Sequence, residues 1–251
     1  MRLVRRMHRG RWPRVWAACQ RQLGARWITA LAGPLLEVHG LEHVAATSRD
    51  RPLLLAANHR SFFDLYVTMA VLYRRLPGWR ATCFPVRGRY YYQRPGGVLL
   101  NALIANWAMY PPFFHEPRKR RFDQWSLGEL ARLCREGQGR LVGFHPEGTR
   151  NKGTDPYSFL PAQTGIGRLI LEARPTVVPV FIAGLPNSVG EILRRRRGGG
   201  EPIRLWFGAA LALPDPLPSG PGAPAALTAE VMGRITGLAA LDRARMAGAA
   251  G

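Results

Sequence analysis

The stretch that decides the fold is Leu53–Leu72, LLLAANHRSFFDLYVTMAVL. Its first five residues, Leu53 to Ala57, are a continuous apolar run bounded by Pro52 and Asn58. That pattern predicts a strand buried on both faces, over residues 51–58. Beyond it, Phe62, Leu65, Tyr66, Met69 and Leu72 fall at helical spacing, which predicts a helix over 61–75. A buried strand that feeds directly into a helix is the repeating unit of an α/β protein.

Working outward, the alternation continues. Residues 81–87 (ATCFPVR), 139–148 (GRLVGFHPEG), 176–185 and 202–211 read as strands. Residues 36–44 (LEVHGLEHV) read as an edge strand with a glycine turn. Helices are expected within 96–110, 158–173 and 227–246, and over 124–137, where Ser126 takes the N-cap position, Glu129 the capping-box position and Gly137 the end. RRRRGGG (194–200) reads as a loop. The fold class is therefore α/β, with a mostly parallel central sheet flanked by helices and an N-terminal amphipathic helix. The expected organisation is a basic, membrane-associating segment over 1–35, one domain over 36–215, and a Pro/Gly-rich linker with a short helix over 216–251.

The N-terminal helix is expected over 11–33. At ~100° per residue, Trp12, Val15, Trp16, Cys19, Leu23, Trp27 and Leu31 share one arc, with Arg11, Arg14 and Arg21 opposite and Arg26 among the apolar residues. A tryptophan-rich arc beside arginines suits a helix lying in a bilayer interface; the alternative is a helix docking its apolar side on the core. The start of the chain carries no uninterrupted apolar run of signal-peptide form, and nothing approaches the ~18–20 apolar residues of a membrane-spanning helix.

The formal net charge is +20 over 251 residues, so the partners to consider are anionic: lipid, phosphorylated substrate or nucleic acid. Lys119 and Lys152 are the only lysines; the other basic residues are arginines, in a chain rich in Ala, Gly and Pro. Such usage is that of a GC-rich genome, and part of the charge is of that origin. No RRM, KH, helix-turn-helix or zinc pattern is present, which makes nucleic acid a remote alternative. Cys19, Cys83 and Cys134 form no metal-ligand or CxxC spacing and read as core residues. No metal and no cofactor are expected.

His59 and Asp64 stand where the strand hands over to the helix, and ligands of open α/β sheets collect at such strand ends. In continuous helix, positions five apart lie roughly 140° from each other, so contact requires a bend at the helix start. With that bend, the two are either a structural pair at the helix start, or Asp64 orients the His59 ring and His59 becomes a base. Its target is either Ser61, which would make a serine hydrolase, or a substrate hydroxyl. No G-x-S-x-G surrounds Ser61, which also suits a cap. A second strand ends at GFHPEGTRNKG (143–153), which offers Glu147, Gly148, Thr149 and the guanidinium of Arg150 for a phosphate.

Together these blocks resemble the glycerolipid acyltransferases. NHRSFFD (58–64) is similar to that family's N-H-x4-D block, HPEGTR (145–150) to its F-P-E-G-T-R block, and VVPVFIAG (177–184) to its V-P-V/I strand. FFHEPR (113–118) sits where a block ending in arginine is expected, and IRLWFG (203–208) resembles the late strand. His145 replaces the phenylalanine usual before the proline, and the FFHEPR block lacks its glycine.

The resemblance implies an enzyme that moves a fatty acyl group from acyl-CoA or an acyl carrier protein thioester to a lysolipid hydroxyl. The first acceptor it implies is 1-acylglycerol-3-phosphate, giving phosphatidic acid; a lyso-ornithine lipid or a lysophospholipid is the alternative. It assigns His59 and Asp64 as the catalytic pair, and Arg150 with Glu147, Gly148, Thr149 and Arg118 to the acceptor's phosphate. Leu99–Met109 is a candidate lining for the acyl chain. The implied setting is a peripheral (monotopic) protein on the cytoplasmic face of a bacterial inner membrane, with membrane lipids as partners, possible use of acyl carrier protein, and no nucleic acid.

Overall fold

The structure is a computed structural model in which residues 2–114 and 116–249 are described. His115 of the FFHEPR block and residues 250–251 of the C-terminal segment lie outside the described residues.

The elements, in chain order, begin with helices α1 (Arg2–Met7) and α2 (Trp12–Cys19), a π-helical stretch Gln20–Gly24, and α3 (Ala25–Ala32). Strand β1 (Leu36–His39), short helix α4 (Leu41–Ala45), β2 (Leu53–Ala57), α5 (Asp64–Arg75) and β3 (Ala81–Arg87) follow. Next come α6 (Gly88–Tyr91), α7 (Pro95–Leu103), β4 (Met109–Phe113), α8 (Arg120–Arg135) and β5 (Arg140–Phe144). The chain ends with α9 (Gly165–Ala173), β6 (Thr176–Ala183), α10 (Val189–Gly198), β7 (Ile203–Phe207) and α11 (Ala223–Ala249).

The seven strands lie in the order β1-β7-β6-β2-β5-β3-β4. All pairings are parallel except β6 with β7. β2 is central, and every one of its residues is buried, which is why its sequence is a run of apolar residues without alternation. Leu53 and Leu55 face one layer, which holds α5 and the N-terminal helices. Leu54 and Ala56 face the other, which holds α8, α9 and α11. Helices on both faces leave the carboxyl ends of β2 and β5 as the open crevice of the sheet.

Several expectations are corrected. Residues 41–45 form helix rather than strand, because Gly40 takes a left-handed turn (φ 71°) that ends β1. The apolar run 96–110 is not one helix: α7 stops at Leu103, and Met109 opens β4. β4 is the edge strand at one side of the sheet, where Pro111 and Pro112 are tolerated. Ser126 does not cap α8, which begins six residues earlier. Its hydroxyl donates to the Pro112 carbonyl (2.6 Å), and Glu129 instead pairs with Arg132 and accepts from the Tyr110 hydroxyl. Arg194–Arg197 belong to α10, capped by Ser188, with Glu191 pairing to Arg194 and Arg195 and Gly199 ending it in the left-handed conformation. The C-terminal helix extends over Ala223–Ala249, anchored by Leu227, Val231 and Ile235.

Among the described residues no helix is long and apolar enough to cross a membrane. The N-terminal helix turns Ala17, Gly24, Ala25, Ile28 and Ala32 inward, where they are buried. Val15, Leu23 and Trp27 of the apolar arc face outward.

Candidate active site

His59 follows β2, and Asp64 is the first residue of α5. The four residues between them turn rather than continue as helix, and this removes the angular obstacle. His59 Nδ1 lies 3.1 Å from Asp64 Oδ2. The same oxygen accepts the backbone N–H groups of Arg60 and Ser61, each at 2.8 Å. A carboxylate only accepts, so the ring donates from Nδ1 and keeps its lone pair on Nε2. Asp64 is fully buried, and burial pushes its carboxyl up to about 6. Burial, with the positive charges of Arg150 and Arg87, lowers His59 to about 4. At neutral pH the pair is therefore a neutral imidazole beside a carboxylate.

Ser61 is fully buried, and its hydroxyl donates to the Pro186 carbonyl at 2.7 Å. The hydroxyl is committed there, away from the imidazole, so the arrangement is not that of a Ser-His nucleophile pair. Asn58 joins β2 to β6 by a reciprocal pair of bonds with the backbone of Ile182.

The loop after β5 is fastened to this turn. Glu147 is buried; its Oε1 accepts from the His59 N–H (2.9 Å) and its Oε2 from the Leu160 N–H (2.8 Å). The Asn151 N–H donates to the His59 carbonyl (2.8 Å). Glu147 thus shapes the site from behind, with both oxygens occupied by backbone. Gly148 takes φ 66°, where a side chain would be strained.

A cavity of about 550 Å³ opens over these loops and is lined by His59, Gly148, Thr149 and Arg150. Arg150 lies 4.3 Å over the Phe62 ring and donates to Asn187 Oδ1 (2.7 Å), so its guanidinium is held before any ligand arrives. Arg87, Arg120, Lys152 and Arg168 also line the cavity, and among the described residues Asp123 is the one acidic side chain in its lining. Tyr66, Phe84, Tyr91 and Met109 form an apolar wall. Arg118 is exposed on the turn before α8 and does not line the cavity; Arg120, two residues on, does. Of Leu99–Met109, only Met109 reaches the cavity, while Leu99, Leu100 and Leu103 face outward.

His145, which replaces the expected phenylalanine, lies with its ring flat against His59, the centroids 3.9 Å apart. Sequence alone marks it as a departure and not as a member of the site. Arg87 and Arg168 were missed because each comes from a separate element, the end of β3 and the body of α9. The ligand atoms of His59, Asp64 and His145 lie within 4.8 Å of one another. The rings are only 9° from parallel, however, so their in-plane lone pairs run side by side. A shared ion at ~2.0–2.1 Å from both nitrogens would require the stack to open.

Fold and site define an α/β enzyme with a carboxylate-oriented imidazole facing a cation-lined cavity that has one apolar wall. A family model described as Acyltransferase matches residues 35–183, and the chain belongs to that family, the glycerolipid acyltransferases. It is an acyltransferase, and the family ties it to lipid metabolism. A search among curated proteins returns no match.

Proposed function

We propose that the protein transfers a fatty acyl group from an acyl thioester, of coenzyme A or acyl carrier protein, to the hydroxyl of a lysolipid, with 1-acylglycerol-3-phosphate as the first acceptor. The observation that carries this reading is the His59–Asp64 pair opening onto a cavity with cations at one side and aromatic and apolar residues at the other. His59 Nε2 takes the proton of the acceptor hydroxyl as its oxygen attacks the thioester carbonyl carbon. Asp64 balances the imidazolium charge. The tetrahedral intermediate collapses with cleavage of the C–S bond, the imidazolium returns the proton to the departing thiolate, and an ester remains. No acyl-enzyme is needed, consistent with the committed hydroxyl of Ser61.

Arg150, with Gly148 and Thr149 beside it, receives the acceptor's phosphate, and Arg120 is the stronger partner for it than Arg118 on position. The exposed arginines and apolar arc of the N-terminal helix support a peripheral site on an anionic membrane, in keeping with the cytoplasmic face of a bacterial inner membrane.

The test offers labelled acyl-CoA and acyl carrier protein thioester to a panel of lysolipids, with His59→Ala alongside. Transfer to lysophosphatidic acid that disappears in the variant is the expected result. Transfer only to a lyso-ornithine lipid or a lysophospholipid would replace the acceptor and keep the chemistry. Equal activity in the variant would remove His59 from the mechanism.

A further inference from the structure

Helix α7 holds no charged residue and turns its leucines to solvent: Leu99, Leu100 and Leu103 are 58%, 40% and 70% exposed. Ile104 at its end is 44% exposed, and Tyr90 on α6 is 54% exposed. Five of the large apolar side chains left exposed among the described residues thus fall on the consecutive helices α6 and α7 and the residue that follows, and such a patch marks an interaction surface.

Two contacts fix where the patch lies. At its start, α7 is seated on α6 through Gly97: a Cβ there would come within 2.2 Å of the Tyr90 carbonyl oxygen. Tyr90 and Tyr91 line the cavity, so α7 backs that wall. At its end, Gln20 Nε2 donates to the carbonyls of Ala105 (3.4 Å) and Asn106 (3.0 Å), and Trp16 meets Trp107 edge-on at 6.2 Å. This sets the Gln20–Gly24 stretch, which carries exposed Leu23, against the residues that follow α7.

Charge decides what covers the face. Neither residues 1–36 nor residues 65–115, the two segments that build it, contain an aspartate or glutamate. Arg14, Arg21 and Arg26 on the first, and Arg87, Arg89 and Arg94 on the second, are exposed. A second copy docked through this face would bring arginine against arginine. An anionic bilayer supplies the opposite charge, ~1 kcal/mol for each basic residue near the surface, and an apolar interior for the leucines.

We propose that α7 is the element by which the protein enters an anionic bilayer, with Leu99 and Leu103 among the acyl chains and the tyrosine wall of the cavity at head-group depth. A lysolipid then reaches the cavity along α6 and α7 without passing through water. This rests on the lipid-substrate reading above and adds to it the place and orientation of docking.

The test attaches an environment-sensitive NBD label to Leu103→Cys, with Cys19→Ser removing the half-buried native thiol. Phosphatidylglycerol vesicles should raise the label's emission several-fold, and brominated lipid should quench it, while phosphatidylcholine vesicles do little. Leu99→Asp with Leu103→Asp should weaken vesicle binding by on the order of tenfold or more. It should lower transfer to vesicle-embedded lysolipid in step, and spare turnover of a short-chain, monomeric lysolipid. If the protein binds vesicles while the label stays in water and the double variant binds undiminished, α7 is not the docking element, and the acyltransfer reading stands. If the double variant also loses turnover of the monomeric substrate, α7 supports the cavity instead of docking. If the wild type proves to be a dimer that the double variant dissociates, the face belongs between copies. If no lysolipid is acylated at all, the substrate reading fails, while the label's response to vesicles still decides docking on its own.

Discussion

The imidazole of His145 lies face to face with that of His59, the ring centroids 3.9 Å apart and the planes 9° from parallel. His145 Nδ1 is 2.9 Å from the Ala57 carbonyl, which can only accept, so the ring donates there and is held by the strand that delivers His59. Burial, and then the closeness of His59, lowers His145 to about 3, so it stays neutral while its neighbour works. In the proposed mechanism it is a positioning residue, limiting how far the base can swing. His145→Phe keeps the flat contact and should hold kcat within about tenfold, at a cost of ~1–3 kcal/mol for the orphaned Ala57 carbonyl. His145→Ala should lower kcat by more than tenfold at nearly constant KM. A rise in KM with kcat unchanged would refute the positioning role.

In the proposed mechanism Asp64 sets the acid limb of the rate. Its carboxyl is raised to about 6 and His59 is lowered to about 4, so falling pH protonates the carboxylate first. The imidazolium of the transition state then lacks its counter-charge. We expect kcat/KM to fall as pH drops through about 6. Asp64→Asn should be slower by ~10²–10⁴ and should lose that limb. An unchanged profile in the variant would assign the limb elsewhere.

The cations divide by position. Arg120 lines the cavity and Arg118 does not. Losing a charge-assisted hydrogen bond of ~1.5–3 kcal/mol corresponds to roughly 10- to 100-fold. Arg120→Ala should raise KM for a phosphate-bearing acceptor by about that factor, and Arg118→Ala by less than about twofold. The reverse order would restore the assignment read from the sequence.

Glu147→Gln tests the bridge between the two loops. The native carboxylate accepts from His59 N–H and Leu160 N–H. An amide turns its nitrogen toward one of those donors and leaves it unsatisfied, at ~1–3 kcal/mol. A lower melting temperature with a lower kcat is expected; an unaltered melt would show that the bridge contributes nothing to stability.

His8 ties stability to pH. It is buried and stacked on Tyr110 (4.2 Å), and burial together with Arg140 lowers it to about 3, against 6.5 when unfolded. Between those values the unfolded chain carries the proton and the folded one does not. Stability is therefore complete above about 6.5 and is lost on acidification, by ~1.4 kcal/mol per pH unit for this one residue. His8→Phe preserves the stack and should flatten the slope of urea stability against pH by that amount between 6.5 and 4. Parallel slopes would mean that His8 titrates in the fold.

How much was legible depended on whether one signal served one element. The strand Leu53–Ala57 could be read because central strands are apolar throughout, and the His59–Asp64 contact followed once a bend was allowed. The run 96–110 misled because a helix and an edge strand were both apolar and joined without a charged break, with Asn106 and Trp107 making the turn at φ 45° and 65°. Ser126 and Glu129 are residue types that cap helices, but both lie inside α8, which begins at Arg120 without a side-chain cap. Arg194–Arg197 looked like loop beside three glycines, but arginine is a good helix former and Ser188 starts the helix. The cavity's cations come from β3, α8, α9 and one loop, and no local pattern unites residues that only the tertiary fold assembles.

The bonds at the His59 peptide carry a mechanical consequence. Its N–H is held by Glu147 and its carbonyl by the N–H of Asn151, both on the loop that also bears Arg150. Two blocks more than eighty positions apart in the chain are therefore bonded to each other at both the N–H and the carbonyl of one residue. A change in either block tilts the whole piece, so the distance between where a phosphate would rest and where a proton would be taken is built in before any ligand arrives. A damaged block would leave a misaimed enzyme rather than a half-working one.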